Sequence, residues 1–342
     1  MLLYLMAMFT AALLGGVAFL IGYGVYTILQ EYRRDRVPAL VYHRFLPKAK
    51  VDTGEIIDHE PTYVSYDTAF AEQMAYLDRE GYTTISLGEF VAFQDGEASL
   101  PPKPIILTFD DGFMSIYRYA FPVLKQYGMK ATVFATPDPA SENFTKQAGV
   151  DAPLTPEQMR EMSDYGIAIE SHGMTHRYLT EMPPELARWE LEESKKVLER
   201  IVGKPVQFLC IPSGAYNRTV RRLAKEAGYK AVFGMMKGSN HARSDRYALR
   251  RMVIARDFTL ADFHAVLHPA ATCYLRLISF LQQALLSLLG PRRLDVFRHR
   301  LFRMKLARLL IHGQLRSSAG RSAPLMCLAL SLGMALFGYG VG

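Results

Sequence analysis

From residue 37 to residue 268 the chain alternates short apolar runs, rich in β-branched residues, with longer amphipathic ones. That alternation limits the possible folds more than any other feature. The strand-length runs are ALVYH, PIILTFD, ATVFAT, IAIES, VQFLCI, KAVFG and RRMVIA, each flanked by turn residues. Helical patterns fall between them. Asp67 can cap TAFAEQMAYLDREG, which stops at Gly81, and SIYRYAFPVLKQYG ends at Gly128. Thr155-Pro156 opens PEQMREMSDYG, a second proline pair opens PPELARWELEESKKVLERIVG, and Asn217 can cap RTVRRLAKEAG. Strands that alternate with helices in this way pair in parallel through right-handed crossovers, which leaves an open α/β sheet or a closed (β/α) barrel. The stretches around 48–62 and 137–153, rich in Asp, Glu, Pro and Gly, read as loops, and no internal repeat is visible.

The two ends differ from this middle. Met1 to Gln30 carry no charged side chain, and a helix needs only about 20 apolar residues to cross a bilayer. The basic start and small-residue cleavage site of a signal peptide are missing, so residues 1–30 read as a retained transmembrane anchor. Residues 270–342 hold ten Lys or Arg against one acid, Asp295. Their arginines interleave with Leu, Ile and Phe at helical spacing, as in basic amphipathic helices that lie on a membrane next to anionic lipids, and Ala323 to Val341 is again uncharged. The basic excess therefore belongs to the tail, which argues against a nucleic-acid-binding core. The positive-inside rule leans towards the cytoplasmic face of the membrane and leaves the face open. Three cysteines, Cys210, Cys273 and Cys327, suggest no disulfide framework.

In a barrel, side chains at the C-terminal ends of the strands converge on one mouth. PIILTF leads to Asp110, Asp111 and Gly112; IAIE leads to Ser171, His172 and, four residues later, His176; VQFLCI leads to Pro212, Ser213 and Gly214. Singly, each has an ordinary reading: an acidic turn, surface histidines at helical spacing, a plain turn. Together they describe a carboxylate and two imidazoles that can bind a metal with open positions, and a second carboxylate to act as base. An ion so held lowers the pKa of a bound water and polarises a carbonyl oxygen, the requirements for hydrolysing an amide or ester.

The segments LTFDDGF (107–113), ESHGMTH (170–176) and FLCIPSGAYN (208–217) resemble the motifs of the polysaccharide deacetylases, carbohydrate esterase family 4. The resemblance covers residues 37–268 and implies a distorted (β/α) barrel. It implies Asp110 as general base, Asp111, His172 and His176 as ligands of a divalent metal, commonly zinc, and Pro212, Ser213, Gly214 and Tyr216 at the substrate. Three departures stand out. Cys210 occupies the place where many members carry an arginine that orients the base, and Arg251, in YALRRMVIA, is the candidate substitute, with a plain basic strand edge as the alternative. The fourth motif is absent, and the single tryptophan, Trp189, lies within a helical pattern and reads as packing. The proton donor, usually a histidine on a late strand, has its late candidate, His268, in the helical TLADFHAVLHP. LVYH instead places His43 at the end of an early strand, as in the permuted poly-N-acetylglucosamine deacetylase branch, where that strand closes the barrel beside the last one.

The expected protein is thus a membrane-anchored, metal-dependent de-N-acetylase with an N-acetylated saccharide as partner, either a polymer or a lipid-linked sugar, and with membrane lipids around its ends. A deformylase or O-acetyl esterase uses the same machinery, and a non-catalytic saccharide-binding barrel is the alternative of a different class.

Overall fold

The seven strand-length runs lie side by side in one parallel sheet in the computed structural model, which describes residues 1–57, 63–234, 236–256, 258–273, 275, 276 and 280. The strands are β1 (Ala39–Tyr42), β2 (Arg44–Leu46), β3 (Val64–Tyr66), β4 (Thr83–Thr84), β5 (Pro104–Phe109), β6 (Thr132–Ala135), β7 (Ala168–Ser171), β8 (Phe208–Cys210), β9 (Ala231–Phe233) and β10 (Met252–Val253). The helices are α1 (Leu2–Glu31), α2 (Lys48–Asp52), α3 (Asp67–Arg79), α4 (Leu87–Asp95), α5 (Phe121–Gln126), α6 (Glu142–Thr145), α7 (Pro156–Tyr165), α8 (Pro184–Val202), α9 (Arg218–Glu226) and α10 (Leu260–Leu267).

The sheet runs β10-β1-β5-β6-β7-β8-β9, with β4 added to β5, and β2 and β3 form a small parallel pair of their own. It curls into a half-barrel, more open than the distorted barrel the resemblance implies. Among the described residues, one isolated bridge, Phe233 to Leu249, brings the β9 edge back towards the approach to β10. β1 lies between β5 and β10, with Tyr42 opposite Phe109 and Val41 opposite Val253, so the first strand neighbours the last. Parallel pairing at this register makes the residues after Tyr42 and Phe109, His43 and Asp110, leave the sheet at the same end.

Strands covered on both faces read as continuous apolar runs, and β1, β6, β8 and β9 are buried almost throughout. Ile106, Phe134, Phe208 and Phe233 from the sheet pack with Ile85, Leu87, Phe90 and Val91 of the α4 region. Elsewhere Tyr42 and Phe109 meet Phe45 and Phe70 in an aromatic cluster, and the Tyr42 hydroxyl donates to Gln73 of α3 at 2.8 Å. The run expected as one helix from Ser115 to Gly128 is two pieces. Pro122 has no N–H for the i−4 carbonyl, and the turn before it, Ile116–Ala120, widens to π geometry ahead of α5. Trp189, expected to pack, lies on α8 with 45 % of its surface exposed.

The chain divides into two units, Val37–Phe263 and a second made of Met1–Arg36 with the residues from His264 onward. Among the described residues no helix is long and apolar enough to cross a membrane, which overturns the expected anchor at residues 1–30 and the membrane location, cytoplasmic lean included. The last turn of α1 instead builds a buried polar contact: Glu31 is fully buried and accepts from Arg276 at 3.0 Å and Arg36 at 3.2 Å. The basic amphipathic segments expected over 270–342 lie, from residue 281 on, outside the described residues.

Glu170 of β7 is a carboxyl built into this sheet, 5 % exposed, with Oε2 accepting from the backbone N–H groups of Gln207 at 2.7 Å and Phe208 at 2.8 Å. Burial pushes its pKa up to about 8, against the pull of those two donors. A folded-state pKa above the unfolded one means that the native state holds a proton the unfolded state has lost. The associated stability is complete below about pH 4.3 and is lost as pH rises towards 8. Glu170→Gln keeps an oxygen for both N–H groups and removes the charge, so its melting temperature, relative to the unchanged protein, should rise steadily between pH 5 and pH 8. Parallel melting curves in calorimetry across that range would refute the assignment.

Candidate active site

The loop after β5 turns sharply because two consecutive residues are left-handed, Asp111 at φ 70° and Gly112 at φ 87°. Asp tolerates this region better than most side chains, but Gly112 has no substitute. A Cβ there would sit 3.1 Å from Ala135 Cβ and 3.2 Å from Ala135 Cα. The turn is pinned on both sides: Asp110 N–H donates to Tyr42 O, and Thr136 N–H donates to Asp111 O, each at 2.9 Å. The two adjacent carboxylates are thereby sent to different surroundings.

Asp111 faces the two histidines that follow β7. Its Oδ1 lies 3.1 Å from His176 Nε2 and 3.7 Å from His172 Nε2. His172 Nδ1 sits 2.8 Å from Cys210 O; a carbonyl only accepts, so Nδ1 holds the proton and Nε2 presents a lone pair. Burial pushes the His172 pKa down to about 4, keeping the ring neutral as a ligand must be. Burial works against the Asp111 charge, but His176, aided by His43 and His172, holds the carboxyl far below the usual range. Donors held about 2.0–2.1 Å from a tetrahedral ion lie about 3.3 Å apart, so this carboxylate and two imidazoles fit a divalent cation with positions left open. A second grouping, Asp110, His172 and Cys210, also clusters among the described residues. A positive charge already stands there, because Arg251 donates to both Asp110 oxygens and to Cys210 Sγ.

That arginine enters just before β10. Its Nη1 and Nη2 meet Asp110 Oδ1 at 2.6 Å and Oδ2 at 2.7 Å, a two-pronged ion pair between groups 8 % and 3 % exposed. Nη1 also reaches Thr108 Oγ1 at 3.1 Å, and the guanidinium lies over the Phe233 ring, 5.0 Å from its centre. Burial would raise the Asp110 carboxyl, but Arg251, with His172 and His43, holds it below its ordinary value. Of the two readings of Arg251, the buried position excludes a plain basic strand edge.

His43, at the end of β1, brings Nε2 to 3.9 Å from Asp110 Oδ2 and stacks at a tilt against Tyr63. Its Nδ1 is buried with no hydrogen-bond partner among the described residues. Burial lowers its pKa, with Asp110 and Asp111 opposing. His268, the late candidate, belongs to the other unit, where its Nδ1 accepts from Ala270 N–H at 3.3 Å.

Pro212, Ser213 and Gly214 form a tight turn after β8, with Ser213 exposed at φ 55° and Pro212 buried. Pro212 Cγ packs 3.4 Å from where a Cβ on Gly173 would lie, so the third motif braces the second. Tyr216 is half-buried, its hydroxyl donating to Tyr247 O, which spends that group within the fold. The sequence offers no sign of Asn143, on α6 in a stretch that reads as loop. Its Nδ2 donates to Asp111 Oδ1 at 3.4 Å, a contact that no motif or periodicity marks.

A family model described as polysaccharide deacetylase matches residues 97–232. A Bacillus subtilis (strain 168) protein named "Putative polysaccharide deacetylase YxkH" is 32 % identical over 196 residues, covering 57 % of this chain and 67 % of that protein. The poly-beta-1,6-N-acetyl-D-glucosamine N-deacetylase of Staphylococcus epidermidis is 25 % identical over 242 residues, covering 66 % of this chain and 82 % of that one. Among solved structures, the Streptococcus pyogenes deacetylase PplD in complex with acetate superposes with a TM-score of 0.57 at 26 % identity, covering 66 % of this chain and 94 % of that one. The family match begins ahead of β5, runs into β9 and takes in all three motif loops, so the chain belongs to the polysaccharide deacetylase family, the carbohydrate-deacetylating hydrolases of carbohydrate esterase family 4.

Proposed function

We propose that this protein removes N-acetyl groups from a glucosamine-containing polymer, with Asp111, His172 and His176 holding a divalent ion and Asp110 acting as base. The observation that carries the reading is the divergence of two neighbouring carboxylates, one among imidazoles and the other locked to a buried guanidinium. The Staphylococcus epidermidis relative, named for a poly-N-acetylglucosamine substrate, supports the polymer, and acetate bound to PplD supports the acetyl group. The lipid-linked alternative and the membrane lipids rest on the basic amphipathic tail, which from residue 281 on lies outside the described residues, and on the cytoplasmic lean, and no relative named above supports them.

A divalent ion, commonly zinc, would supply an acidified water and a polarised acetamide oxygen. The chain's own residues handle the protons. Asp110, kept ionised by Arg251, accepts one from the attacking water. The departing nitrogen must take up a proton for the C–N bond to break, and His43 faces the same space. A depressed pKa makes its imidazolium a stronger acid, suited to that donation. Acetate and a free amine result. The Cys210 substitution, which favours a non-catalytic barrel when read alone, is answered by the guanidinium that Arg251 brings to the base.

Chelation should abolish acetate release, and added zinc should restore it. Asp110→Asn should remove turnover while zinc still binds; full turnover in that variant would exclude Asp110 as base. His43→Ala should slow amide hydrolysis by about 10²–10⁴-fold, the usual worth of a general acid or base, and an unaltered rate would remove it from the mechanism. Arg251→Leu leaves the Asp110 charge buried and unpaired, a loss of about 3–5 kcal/mol. Burial of Asp110 is then opposed only by His172 and His43, so the acidic limb of the pH–rate profile should move to higher pH. A limb that stays in place would show that Arg251 does not set the base.

A further inference from the structure

The five residues from His172 to His176 form neither helix nor strand. The backbone is left-handed at Gly173 (φ 77°) and again at His176 (φ 57°), so neither histidine is placed by regular structure. Their spacing is set by something else. Met174 N–H and Thr175 N–H both donate to Glu190 Oε2 at 2.8 Å, and the Thr175 hydroxyl donates to Oε1 of the same carboxylate. Glu190 is 1 % exposed and projects from α8, 14 residues beyond the second histidine. A buried carboxylate is costly unless hydrogen bonds satisfy it, and the bonds it makes are stronger for being charge-assisted. All of these bonds go to the link between the two imidazoles.

We propose that Glu190 is the positioning residue that holds His172 and His176 at the separation a divalent ion requires, so that ion affinity depends on a side chain that touches neither the ion nor the ligand rings. The inference rests on the proposed ion site. Partners of this kind are typically worth about 10–100-fold in metal affinity. Glu190→Ala should therefore bind zinc more weakly by that factor, read by competition with a fluorescent chelator on protein whose circular dichroism and melting curve show it folded. Glu190→Gln should recover most of the loss, because one amide oxygen can still accept from both N–H groups. Thr175→Val removes a single bond and should show a smaller loss. Arg188→Ala, on the exposed side of α8 with partners Glu192 and Glu226, should leave zinc affinity unchanged.

Folded Glu190→Ala that binds zinc as tightly as the unchanged protein would overturn the inference. If Glu190→Ala does not fold, unchanged affinity in Thr175→Val overturns it instead. A loss in Arg188→Ala equal to that in Thr175→Val would trace the effect to α8 as a whole, and would also overturn it. An unchanged protein that binds no zinc would remove the ion site and this role together, whereas tight binding by that protein and by all the variants removes the role alone.

Discussion

A charge without a partner cannot stay in the interior of a sheet, and the ion pair between Asp110 and Arg251 is how this fold meets that constraint. The two groups come from the end of β5 and the approach to β10, strands separated by most of the unit, and β1 lies between them. On its way to the carboxylate the guanidinium passes Thr108 and lies against Phe134 and Phe233, rings from β6 and β9 that the curl of the sheet brings together. The parallel register of β1 on β5 places His43 at the same rim. Fold and chemistry are linked through this one contact: the pair that favours the ionised form of Asp110 also ties the last strand to the strand that carries the carboxylate.

Much of this is legible in the residues. All seven strand-length runs are strands of the sheet, because parallel strands buried on both faces leave an unbroken apolar signature. Asn217 caps its helix through Val220 N–H, and Gly166 and Gly203 end α7 and α8 in the left-handed conformation, as local chemistry requires. α4 escapes a reading by hydrophobic period, although its start carries a capping box, Ser86 with Glu89, within SLGE. There the signal lies in the cap and not in the period. β2, β3 and β4 are two or three residues long, too short for any period to register.

The site divides along the same line. Asp110, Asp111, His172 and His176 can be found because each sits within a few residues of a strand end, in a motif of fixed spacing. Arg251 can be suspected only from an absence, the cysteine at position 210, since nothing local says that a residue 41 positions away will fill the gap. Glu190 and Asn143 leave no trace. Their importance lies in which backbone or carboxylate they meet, and a glutamate within an amphipathic helix looks like any solvated residue until the loop beside it is seen. The membrane anchor is read from an uncharged run of thirty residues alone, and that run does not show that the next residue, Glu31, is buried against Arg276.

The bond from His172 Nδ1 goes to the main-chain oxygen of residue 210, not to its side chain. The peptide therefore selects the tautomer of the ligand, and it would do so for any residue at that position. Two duties that could have been joined in one residue are separate here, one carried by the backbone and the other released to the side chain. Position 210 is thus free to vary without disturbing the imidazole, and the arginine that supports the base can arrive from another strand. Within one barrel, this gives evolution room to move the support of a reactive group while the geometry around the cation stays as it was.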